Sequence, residues 1–110
     1  MVSARRPHRQ FDVFRNPDRT TAAEHPFLIV LQSDAVDQID TRVVAPLVSP
    51  RQLKFFEKLL PRVMVEGAQY VIAIPAMAAI PTSIIGSAVV NLESEGHRIT
   101  GAIDLLFLGI

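Results

Sequence analysis

Asp34, Asp37 and Asp40 stand at three-residue intervals and are the densest group of candidate ligands in the chain. Carboxylates can meet a hard cation, but a calcium loop needs a defined ligand set spread over about twelve residues. That set is missing here, so the stretch reads as a solvated acidic loop. His8, His25 and His97 are the other groups able to hold a metal or move a proton. No two of them have ligand spacing, and each reads as a solvated histidine. Cysteine is absent, which removes thiolate nucleophiles, thiolate metal sites and disulfides. There is no glycine-rich loop to cradle a phosphate. These residues give no catalytic group, no metal site and no cofactor, and they stop at a domain with no visible active site.

The chain has 110 residues, with 11 Lys plus Arg balanced by 11 Asp plus Glu. That length suits one domain with its own core. Zero formal net charge argues against direct nucleic-acid binding, which needs a basic face for the phosphates. It also leaves little repulsion to oppose self-association. A cysteine-free composition fits the cytoplasm. The stretch Tyr70–Val90 carries no charge and raises the question of a membrane span. Pro75, Pro81 and Gly86 would break any such helix, so the stretch is predicted to form strands and turns of a buried sheet, with no membrane partner. The opening MVSARRPHR lacks an apolar run after its arginines, so no secretory signal is expected. Residues 1–9 read as a flexible extension and 10–110 as a single domain.

Elements must position whatever binds. Phe11–Phe14 alternates apolar and polar residues, a short strand signature. The Asn-Pro and His-Pro pairs in RNPDRTTAAEHP mark a loop. Phe27–Leu31 is a continuous apolar run and predicts a central strand. Arg42–Val48 predicts another, with Pro46 suggesting an edge or a bulge. Ser49-Pro50 can open a short helix carrying Leu53, Phe56 and Leu60, which Pro61 ends. Arg62–Glu66 and Gln69–Pro75 flank Glu66-Gly67-Ala68 and predict a hairpin.

The last segment carries the clearest helical pattern. Ile99, Ile103, Leu106 and Ile110 form one apolar stripe, widened by Ala102, Leu105 and Phe107. Ser94 is the expected N-cap, and Gly109 stands where a left-handed C-cap belongs. Gly101 inside the helix costs about 1 kcal/mol relative to Ala, so it suggests close approach of another backbone. The chain then stops on Leu108-Gly109-Ile110. An apolar end is either tucked into the core or presented to a partner.

Several short strings occur in order: QFDVF at Gln10–Phe14, LQSD at Leu31–Asp34, RVVAPL at Arg42–Leu47, LLP at Leu59–Pro61, MAAIP at Met77–Pro81, SIIG at Ser83–Gly86 and the closing AIDLLFLGI. Together the chain resembles the CcdB family of toxins from toxin–antitoxin modules over residues 10 to 110. The resemblance implies an SH3-like, mostly antiparallel β-barrel of the CcdB/MazF type, with a small extra sheet and a C-terminal helix. It implies a cytoplasmic homodimer, not an enzyme, that binds the DNA gyrase A subunit and traps the gyrase–DNA cleavage complex. A cognate CcdA-like antitoxin would wrap and neutralise it, with autoregulation of transcription. The family's gyrase-contacting end is Trp-Gly-Ile, and the matching positions here are Leu108, Gly109 and Ile110. Gly109 and Ile110 agree with that end; Leu108 does not, and loses the planar face of an aromatic anchor. Ala35 and Val36 correspond to apolar residues near the same surface. Arg15 and Arg42 are candidates for contact with an acidic antitoxin.

Two other readings stay open at this level. One is a toxin of the same fold that cuts RNA, although the arginines are scattered and histidines few. The other is a non-toxic relative that partners an antitoxin in autoregulation, which the change at Leu108 would allow.

Overall fold

The computed structural model describes residues 8–51 and 57–110. Among the described residues there are seven strands: β1 (Asp12–Arg15), β2 (Phe27–Val30), β3 (Thr41–Val48), β4 (Arg62–Val65), β5 (Ala68–Ile72), β6 (Ala78–Pro81) and β7 (Ala88–Asn91). One helix, α1 (Gly96–Leu108), closes the chain. Every pairing is antiparallel, in the order β4-β5-β3-β2-β1-β7, with β6 added to β3. The result is a curled antiparallel sheet, a half-barrel, plus a C-terminal helix. This is the fold class that the sequence leads one to expect.

The apolar runs explain why the sheet curls around two layers of side chains. Adjacent strand residues point to opposite faces, so Val13 and Phe14 enter different clusters. Val13 joins Phe27, Ile29, Leu47, Ile72, Ile74 and Ile99 in the main core. Phe14 joins Val30, Val44 and Ile85 on the other face. Fully burying one such side chain contributes about 1.5–3 kcal/mol. The strand read over Phe11–Phe14 is present as β1, but its polar residue does not face solvent, since Asp12 is buried at 3% exposure. Its Oδ1 accepts from Asn91 Nδ2 at 2.9 Å and its Oδ2 from the Arg9 amide at 3.0 Å.

Strand β3 is the hub. One edge pairs with β2 from Val44 to Leu47. The other edge carries β6 against Thr41–Val44 and β5 against Leu47–Val48. Pro46 lies where the second edge changes partner, and its carbonyl accepts the Ala73 amide at 2.9 Å. In an antiparallel strand a residue's nitrogen and carbonyl face the same neighbour. The missing N–H of Pro46 therefore falls at the fork, where no ladder bond is lost. The edge or bulge that Pro46 suggested is instead this fork within a central strand.

The β4–β5 hairpin turns on Glu66 and Gly67, with φ of 50° and 80°. Two successive positive φ values are what a two-residue type I′ turn requires. Residues 52–56, on which the helix expected after Ser49-Pro50 largely falls, lie outside the described residues, as do residues 1–7 of the expected extension. His8 and Arg9 are described, and both hydrogen-bond to the fold. The Tyr70–Val90 stretch forms β5, β6 and β7 joined by short 3-10 turns. It is less buried than predicted: Val71–Ile74 and Ile85 are buried, while Ile84 and Val90 are exposed. Among the described residues, no helix is long and apolar enough to cross a membrane.

Candidate protein-binding site

Helix α1 starts from a crowded corner. A 3-10 turn at Glu93–Glu95 leads into Gly96, and the Asn91 side chain accepts the Glu93 amide at 2.9 Å. Glu95 occupies the N-cap position without a side-chain cap bond, so Ser94 is not the cap. The ring of Phe11 packs on Gly96 so closely that a Cβ there would stand 3.1 Å from it. Arg98 donates to the Arg62 carbonyl at 3.0 Å and to the Glu95 carboxylate, which ties the first turn of α1 to β4. Within the single chain the crowded glycine is Gly96; a Cβ on Gly101 would meet nothing of its own chain within 4 Å.

Only the first half of α1 is embedded. Ile99 and Ala102 are fully buried, and Ile103 packs partly on the core. Beyond them the apolar stripe leaves the protein. Leu106 is 37% exposed, Phe107 and Leu108 66% each, and Ile110 83%. Gly109 has φ of 74°, and its amide donates to the Leu105 carbonyl at 3.0 Å, the left-handed cap that the sequence predicts. The end is not tucked away; the cap directs Ile110 out of the last turn. An open groove of about 600 Å³ runs along this helix, lined by Pro61, Arg62, His97, Gly101, Leu105 and Ile110 among others.

The second candidate group lies between β2 and β3. Ser33 accepts the Ala35 amide through its hydroxyl at 3.0 Å and opens a 3-10 turn, Asp34–Val36. Ala35 is exposed, and Val36 is 41% exposed. Asp34 Oδ1 accepts the Gln10 amide at 2.8 Å, so this turn is fastened to the start of β1.

The two arginines have different surroundings. Arg15, at the exposed end of β1, bonds both Glu66 carboxylate oxygens at 3.1 and 3.3 Å and lies 5.4 Å over the Phe27 ring. Phe27 in turn meets Tyr70 edge-on at 5.6 Å. Arg42 is 6% exposed. Its Nη1 donates to the carbonyls of Ile39 at 2.6 Å and Thr41 at 2.9 Å, its Nη2 to that of Asp37 at 2.9 Å, and its Nε to that of His8 at 3.4 Å. A guanidinium has five fixed N–H donors, and backbone carbonyls of four residues accept from this one.

Two of the three histidines differ from the solvated groups predicted. His8 and His25 are half-buried, and the Nδ1 atom of each is buried with no hydrogen-bond partner among the described residues. Burial, and then the Arg42 guanidinium, hold the His8 pKa below its ordinary 6.5, while Asp12 acts in the opposite sense. His97 is exposed at the groove.

The sequence-predicted residues thus occupy four elements: Leu108–Ile110 at the end of α1, Ala35 and Val36 in the β2–β3 loop, Arg15 on β1 and Arg42 on β3. Phe107 and Leu106 were read as stripe residues, yet they are exposed beside Leu108. What the arrangement offers is an exposed apolar surface on a capped turn. The family model described as CcdB protein matches residues 10–109.

Proposed function

Because this chain belongs to the CcdB family, toxins of toxin–antitoxin modules, we propose that it binds the DNA gyrase A subunit through the end of α1 and traps the gyrase–DNA cleavage complex. The observation that carries this reading is the set Leu106, Phe107, Leu108 and Ile110, apolar and exposed on one overhanging turn. Contiguous exposed apolar residues on a small protein favour a protein-binding surface. The Gly109 cap supports it, since a fixed last turn spends less entropy when it docks. Ala35 and Val36 are placed as a second contact on the same target.

The proposed protein is a cytoplasmic homodimer that is not an enzyme, acts without a cofactor and is neutralised by a cognate CcdA-like antitoxin. An isologous dimer would present two copies of the capped turn. Arg15, exposed on β1, is available to an acidic antitoxin segment. Arg42 is buried among carbonyls, so its part is to hold the β2–β3 loop rather than to face the antitoxin.

Leu108 in place of the family tryptophan favours one second reading, a non-toxic relative that binds the antitoxin alone. Purified protein incubated with gyrase from the source organism and supercoiled plasmid distinguishes the two. Linear DNA after denaturation of the enzyme is expected. Absence of both cleavage and binding to the A subunit, with antitoxin binding retained, would leave the second reading.

A further inference from the structure

The tip of α1 is aimed from the other end of the helix. Ile99 and Ala102, buried in the core, fix one point on the helix axis. A direction needs a second point. Leu108 lies about 9 Å beyond Ala102, so a tilt of about 15° around the buried pair would carry it by about 2 Å. A recognition group has to be held to within about 0.5 Å and 10–20°.

Asn91 supplies the second point. It ends β7, opposite Asp12 on β1. Its Oδ1 accepts the Glu93 amide at 2.9 Å and so opens the 3-10 turn that runs into Gly96. Its Nδ2 donates to the Gln10 carbonyl and to Asp12 Oδ1, both at 2.9 Å. A carboxamide offers an acceptor and two N–H donors on one short side chain, and here each has a partner. Glu95, in the N-cap position of α1, makes no side-chain cap bond; the side chain that fastens this root is Asn91.

The segment that Asn91 grips is held in turn. The Gln10 amide donates to Asp34 Oδ1 at 2.8 Å, and its Nε2 donates to the Leu31 carbonyl at 3.0 Å. Phe11, next in the chain, is bonded to both Val30 and Leu92 and has a φ of 71°. An aromatic residue keeps such a backbone only where its surroundings impose it, and strain of this kind gathers where a geometry serves function. From this we infer that Asn91 is the positioning residue of the α1 tip, clasping the helix root to Gln10–Asp12 so that Leu108 and Ile110 point in one direction. This rests on the functional reading above, in which the tip meets the gyrase A subunit.

The test compares the full chain with Asn91→Ala, Asn91→Ser and Val44→Ala. Asn91→Ser can still accept the Glu93 amide but gives up one donor, and it replaces Asn91→Ala if that variant does not fold. Val44→Ala thins the cluster of Phe14, Val30 and Ile85 on the other face of the sheet and controls for lost stability alone. Two quantities are measured well below each melting temperature: affinity for purified gyrase A subunit, and the distance from the tip to β4. The chain has no cysteine, so Met64→Cys and Phe107→Cys, both at exposed positions, take spin labels selectively. Dilution with unlabelled chain keeps each labelled pair within one molecule. Asn91→Ala should shift or broaden the distance by about 2 Å and weaken binding by roughly tenfold. Asn91→Ser should do the same in smaller measure, and Val44→Ala should change neither. An unmoved distance in the Asn91 variants overturns the positioning role, whatever the affinity. A moved distance with unchanged affinity shows that the tip needs no aim, and overturns its part in binding. Equal loss of affinity in Val44→Ala reduces the effect to stability and overturns it as well. If the wild-type chain does not bind the gyrase A subunit, the functional reading falls alone; a moved distance then still supports the positioning role, and an unmoved one overturns it.

Discussion

The Phe11 ring lies against the α-carbon of Gly96, leaving 3.1 Å for any side-chain carbon placed there. Phe11 cannot retreat easily. Its amide donates to the Val30 carbonyl at 2.7 Å, its carbonyl accepts the Leu92 amide at 2.9 Å, and its φ is 71°. Gly96→Ala gains helix propensity of about 0.5–1 kcal/mol but overpacks a fixed ring, which typically costs about 1–3 kcal/mol. A net loss of about 1 kcal/mol is expected, seen as a melting temperature lower by roughly 5 °C. Gly96→Val should lose more. A Gly96→Ala variant as stable as wild type would show that the corner yields.

Leu108 separates stability from binding. It is 66% exposed, so Leu108→Asp should change stability by no more than about 0.5 kcal/mol. Growth arrest and gyrase affinity should nonetheless fall sharply. Leu108→Trp restores a planar anchor and should tighten binding by roughly tenfold. Titrating gyrase A subunit against the three proteins measures both effects. No gain from tryptophan would mean that position 108 is not the missing anchor.

Gly109 tests whether the cap matters. With φ of 74°, a residue bearing a Cβ costs about 1 kcal/mol there. Gly109→Ala should relieve that strain by unwinding the last turn, since little beyond Ile103 is buried to resist. The melting temperature should barely move, while affinity for the partner falls. Equal affinity would show that Ile110 does not need its fixed direction.

The pH dependence of stability should carry a contribution from His8. Its folded pKa lies below the ordinary 6.5, through burial first and Arg42 second. Between the two values the unfolded chain binds the proton and the folded chain resists it. The stability contributed by neutral His8 is therefore complete above 6.5 and declines as pH falls through 6.5 toward the lowered folded value. His8→Asn, which tolerates the residue's φ of 64°, should flatten that decline. Melting temperatures at about pH 7.5 and about pH 5.5 compare the slopes; identical slopes would remove His8 as a cause.

The fold was largely legible because its strands are written as apolar runs. Phe27–Val30, Thr41–Val48 and the hairpin around Glu66-Gly67 fall where the residues predict. So do the helix from Gly96 and its Gly109 cap. The misreadings share one cause: burial depends on partners distant in sequence. Asp12 looks like the solvent side of a strand until Asn91 supplies a donor across 79 positions. Gly96 was missed as a crowded position because the ring that packs on it arrives from residue 11. Arg42 looked like a free cation because the carbonyls that surround it come from an irregular loop. The apolar end was legible as unusual, but whether it packed or projected depended on where the core ends, near Ile103.

The overhang of α1 has a consequence for how such a tip can vary. Six residues separate the last fully buried position, Ala102, from Leu108, a rise of about 9 Å. Beyond Ile103 little packing corrects the helix, so its rotational phase largely sets where the tip points. Inserting or deleting one residue there would swing Leu108 and Ile110 by about 100° around the axis and leave the core untouched. Specificity at this end can therefore change by side-chain replacement, as at Leu108, while changes of length are closed to it.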